Sequence, residues 1–62
     1  MSTLRSIERY LKQTGMAPTA FGRQAARDPR LVFDLRNGRQ LSERVERRIE
    51  HFMNVSKRQR AA

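Results

Sequence analysis

The sequence predicts an all-α fold, a compact bundle of about four helices. Three observations carry it: apolar residues recur at spacings of three and four along separate segments, helix start and stop signals fall between those segments, and no run alternates with the period of a strand. At 62 residues the chain is close to the size at which one core only just stabilises a fold, so a single domain is expected. Residues 1–56 make up that domain, and residues 57–62, polar and basic, read as a flexible tail.

The first helix covers residues 3–13. Leu4, Ile7 and Leu11 share one stripe with Tyr10 beside it, while Arg5, Glu8, Arg9 and Lys12 fall elsewhere. Gly15 ends it, because glycine alone takes the left-handed conformation of a C-terminal cap without steric cost. Pro18 opens the second helix, where its missing N–H would have no partner anyway, and Thr19 is a local cap. That helix runs to about Ala26 with Phe21 and Ala25 inward. Gly22 in its interior costs roughly 0.5–1 kcal/mol against alanine, which predicts another backbone passing close by.

The third helix is expected over residues 29–37. Asp28 caps its free N–H groups, Pro29 presets its first turn and Asn37-Gly38 ends it. At 100° per residue Leu31, Val32 and Leu35 point one way, and Arg30, Phe33 and Asn37 the other, flanked by Pro29 and Asp34. Ser42 caps a fourth helix with Glu43 and Glu46 in its first turns. Its apolar stripe is Leu41, Val45, Ile49, Phe52 and Met53, and Glu43 pairs with Arg47 one turn on.

Composition narrows the function. With no cysteine and one histidine, disulfides and thiolate metal sites are excluded, and neither a metal nor a cofactor is expected. No nucleophile sits with a base, no isolated carboxylate pair occurs and no phosphate loop follows a strand, so the chain does not read as an enzyme or as a small-molecule binder. His51 reads as a surface residue near the end of the fourth helix. No apolar run approaches the ~18 residues of a membrane span and the N-terminus lacks a signal-peptide block, so a cytoplasmic, nucleoid-associated protein without membrane contact is expected.

The net charge of +8 points to a polyanionic partner. Lys12 and Lys57 are the only lysines; the other basic residues are arginines, whose planar fork suits phosphate and guanine edges. Five of the fourteen basic residues lie between Arg23 and Arg39, on what reads as a helix-turn-helix. The expected partner is double-stranded DNA. A helix in the major groove reads bases with the outward residues near its N-terminal end, which here are Pro29, Arg30, Phe33 and Asp34. Arg30 would take guanine, Phe33 or Pro29 a thymine methyl, and Asp34 would accept from cytosine or orient Arg30. Arg23, Arg27, Arg36 and Arg39 would meet phosphates, with Asn37 and the Gly38 backbone as further donors.

With these residues in place, the run from Ala17 to Ser42 resembles the helix-turn-helix of the lambda-repressor and Cro superfamily, the XRE-like regulators. Phe21-Gly22, Val32, Leu35 and Asn37-Gly38 occupy that family's apolar, small and terminal positions, with Leu31 as additional core. The motif is degenerate; it covers about 26 residues closely and most of the rest loosely. The resemblance implies sequence-specific duplex binding by a transcriptional regulator, as a homodimer on a two-fold operator. It adds Pro18 and the start of the second helix, including Thr19, to the backbone contacts. The family's turn has glycine where this chain has Ala26 or Arg27, and its fifth helix or strand, used for dimerisation, has no counterpart here.

Two other readings use the same residues differently. One is a nucleoid-type or RNA-binding protein that grips phosphate without reading sequence. The other is a protein-interaction module, an antitoxin or a polymerase adaptor, using Phe52, Met53 and Val55 on the fourth helix.

Overall fold

A computed structural model describes the backbone of residues 3–60 and the side-chain surroundings of residues 3–55. Four helices follow one another: α1 (Thr3–Thr14), α2 (Pro18–Ala26), α3 (Leu31–Arg36) and α4 (Glu43–Arg60). There is no strand among the described residues. The radius of gyration is 10.9 Å, against the roughly 10.6 Å expected of a compact domain of this length. Among the described residues no helix is long and apolar enough to cross a membrane.

The helices pack because each buries the stripe its spacing defines. α2 lies at the centre, against both α3 and α4, and α1 reaches α3. Ile7, Phe21, Leu31, Val32 and Ile49 are fully buried, with Tyr10, Leu11 and Ala25 nearly so. Leu35, Leu41, Val45, Phe52 and Met53 pack around this core, half-buried. Phe21 sits between two other rings, 5.4 Å from Tyr10 of α1 and 5.5 Å from Phe52 of α4. These tilted and edge-on contacts join three helices through one side chain.

Chain breaks follow the residues that favour them. The Gly15 N–H donates to Leu11 O (2.8 Å) at φ +72°, closing α1 as expected. Gly38 closes α3 at φ +97°: its N–H donates to Leu35 O (3.1 Å) and the Arg39 N–H to Asp34 O (2.9 Å), the pair of bonds that defines a Schellman motif. Ser42 Oγ accepts the Val45 N–H (3.3 Å) and caps α4. Ala17 precedes α2 without any side-chain cap, so Thr19 does not serve as one.

Three expected boundaries are corrected. α3 begins at Leu31, not Pro29, and ends at Arg36. The Asp28 carboxylate accepts the Arg30 N–H (3.1 Å) and the Asp28 carbonyl accepts the Leu31 N–H (3.0 Å), which makes Pro29 and Arg30 a turn. A short acidic side chain offers the backbone this local alternative to a helical start. α4 continues to Arg60, through residues 57–60 of the expected tail, and Ala61 and Ala62 lie outside the described residues.

Candidate nucleic-acid interface

The α2–turn–α3 unit is built on a close approach. Arg27 leaves α2 in the left-handed conformation, φ +54° and ψ +33°, and Gly22 O accepts the N–H of Asp28 (3.0 Å). The returning chain then lays the Asp28 carbonyl against the Cα of Gly22, where a Cβ would collide with it and press on Leu31 Cβ at 3.1 Å. This is the passing backbone that glycine inside a helix predicts. Arg27, a residue with a Cβ, bears the positive φ of this turn itself.

The turn fixes which way α3 faces. Leu31 and Val32 are fully buried and Leu35 half-buried, while Phe33 remains 44% exposed, Arg30 and Pro29 are exposed, and Asp34 is half-buried. Arg23, Arg27, Arg36, Asn37, Gly38, Arg39 and Thr19 are exposed, and Pro18 is half-buried at the first position of α2.

The arginines divide into two sets. Arg23, Arg27 and Arg30 are exposed and make no ion pair within 4 Å among the described residues, although the charge of Arg30 acts on Asp28. Arg36 and Arg39 are paired. Arg36 donates to both oxygens of Glu8 on α1, Nε at 2.9 Å and Nη2 at 2.7 Å, in the two-bond geometry that suits guanidinium to carboxylate. Its guanidinium also lies 5.7 Å from the centre of the Phe33 ring. Arg39 donates through Nη1 to Asp28 (2.7 Å) and to Asp34 (3.1 Å). The Asn37 amide donates to Phe33 O (2.9 Å) and reinforces the end of α3.

The carboxylates register these contacts. Hydrogen bonding by Arg36 holds Glu8 below its ordinary range; desolvation opposes it, and the Arg36 charge adds a smaller lowering. Asp28 is lowered first by the Arg39 hydrogen bond and next by the Arg30 N–H. Both guanidinium groups are correspondingly raised, Arg36 by Glu8 and Arg39 by Asp28 and then Asp34.

The structure therefore gathers Arg30, Asp34 and Arg39 around Asp28, and Phe33, Arg36 and Asn37 at the far end of α3. Among the described residues no side-chain hydrogen bond or ion pair links Pro18, Thr19 or Arg23 to either group; they share only the α2 side of the unit. Asp34 turns to Arg39 and not to Arg30. Glu8 did not figure among the expected site residues, since its partner is 28 positions away and no local spacing signals the pair.

The surface can offer three unpaired guanidinium groups and an exposed ring to a polyanion with apolar base edges. Comparison of the chain with protein-family models, with curated proteins and with solved structures gave no match.

Proposed function

We propose that this chain is a small sequence-specific double-stranded DNA-binding protein, a transcriptional regulator, in which α2, the Arg27 turn and α3 act as a helix-turn-helix of the lambda-repressor and Cro type. One observation supports it above the rest. A short helix is braced on its inner side by fully buried Leu31 and Val32, while its outer side leaves Phe33 44% exposed with the Arg36 guanidinium over its ring, and Arg30 lies exposed just before its start. An exposed ring next to guanidinium groups suits a partner with anionic edges and apolar base faces. In this reading Arg30, Phe33 and Pro29 meet base edges, Arg23 and Arg27 meet phosphates, and the protein acts as a homodimer in the cytoplasm on the nucleoid.

A selection of duplexes from a random library with the full chain tests it. An enriched motif, palindromic if the dimer is the binding form, is the expected result. Enrichment without a motif overturns sequence reading in favour of phosphate gripping by a nucleoid-type protein, and preferential capture of RNA overturns the duplex. The interaction-module reading keeps one observation of its own: Val55 is exposed on α4 two residues beyond half-buried Met53. It predicts self-association without any nucleic-acid binding, which sedimentation together with the same selection distinguishes.

A further inference from the structure

Arg39 looks by position like a phosphate contact, yet its surroundings do not suit one. Its Nη1 donates to two carboxylates, at 2.7 Å to Asp28 and 3.1 Å to Asp34. Asp28 and Asp34 offset the charge of Arg39, with the charge of Arg30 also acting on Asp28, so Arg39 adds little net attraction for a phosphate. The other oxygen of Asp28 is not idle: it accepts the Arg30 N–H at 3.1 Å. A continuous chain of hydrogen bonds thus runs from Asp34 in α3, through Arg39, to Asp28 and into the backbone of Arg30. The Arg39 N–H is itself fixed to Asp34 O (2.9 Å), so the loop after α3 is tied at both its backbone and its side chain.

The geometry points to Arg39 as a positioning residue: by clamping Asp28 to Asp34 it holds the Asp28-Pro29-Arg30 turn, and so sets the direction in which Arg30 leaves the surface. This rests on the proposed reading of DNA by Arg30. Arg39 then governs which base sequence is preferred, while contributing little to the general attraction for phosphate. Arg23 and Arg27, without carboxylate partners, carry that attraction.

The experiment compares the full chain with Arg39→Ala, Arg39→Lys, Asp28→Asn and the Arg39→Ala/Asp28→Asn double variant. Binding to the selected motif and to a shuffled duplex is followed across a salt series, with circular dichroism confirming helix content. Arg39→Ala is expected to lower the motif-over-shuffled preference by about tenfold, as for a lost base contact, with the salt slope unchanged. Asp28→Asn should do the same, and the double variant should be no worse than either single one, since both act through one link. Arg39→Lys keeps the charge but not the fork, and should also lose preference. A salt slope reduced by about one with the preference kept, and rescue by Arg39→Lys, would make Arg39 a phosphate contact and overturn the inference. If the unaltered chain selects no motif, the proposed function fails first. The positioning role is then decided on the free protein, where Arg39→Ala and Asp28→Asn must shift the Arg30 amide resonance alike; an unmoved resonance overturns it.

Discussion

The carbonyl of Asp28 lies against the Cα of Gly22, and the N–H of the same Asp28 donates to the Gly22 carbonyl at 3.0 Å. Two backbones meet with no room for a side chain between them, and this contact sets the angle at which α3 leaves α2. Alanine at position 22 would gain roughly 0.5–1 kcal/mol in helix propensity but forces apart a carbonyl that cannot rotate away. Gly22→Ala is therefore expected to lose about 1–3 kcal/mol net, a fall in Tm of several degrees by thermal circular dichroism. An unchanged Tm would mean that the turn relaxes freely.

Arg27 supplies the converse case. Its φ of +54° strains any residue with a Cβ, by about 1 kcal/mol, and glycine removes the strain. Arg27→Gly should raise the denaturant midpoint by the equivalent of ~0.5–1 kcal/mol, the gain being reduced by the greater freedom of glycine in the unfolded chain. If Arg27 also meets phosphate, the same variant binds duplex more weakly and with a salt slope lower by about one. Stability and binding then move in opposite directions.

The aromatic residues separate folding from function. Phe21, fully buried between Tyr10 and Phe52, should cost about 3–5 kcal/mol as Phe21→Ala, enough to unfold much of a domain this small. Phe33→Ala removes a ring that is largely in water and should change stability by less than about 1 kcal/mol. Its effect is expected in binding to the selected motif, as is that of Arg30→Ala, which should lose roughly 1–3 kcal/mol there and little on shuffled duplex. Equal losses on both duplexes would remove these residues from base reading.

The lowered carboxylates give stability a defined dependence on pH. Glu8 and Asp28 bind their proton more weakly in the folded chain than in the unfolded one, so their contribution is fully present above the unfolded pKa, near 4. It is lost as pH falls through the folded values below that. The midpoint of unfolding should thus be insensitive to these two groups from neutral pH to about 5, and fall on further acidification. Glu8→Gln and Asp28→Asn should each flatten the acid limb while lowering stability only modestly at pH 7, because the pairs are partly exposed and screened. A flat acid limb in the unaltered chain would show that the pairs do not persist in solution.

What the sequence determined by itself is the part written in local chemistry. Spacings of three and four placed Ile7, Leu11, Phe21, Leu31, Val32 and Ile49 in the core, and Gly15, Gly38 and Ser42 marked helix ends through their own φ preference or hydroxyl. The glycine at position 22 announced a close backbone without saying whose. The tertiary structure alone decided that it is Asp28, that Tyr10 and Phe52 close on Phe21, and that α3 starts two residues late because the Asp28 carboxylate takes the Arg30 N–H. It also decided which arginines are unpaired. Formal charge counts Arg30, Arg36 and Arg39 alike, but Glu8 is brought to Arg36 from another helix, and Arg39 folds back over Asp28 and Asp34. Such pairings depend on distances in space between residues remote in the chain, and no periodicity in the sequence encodes them.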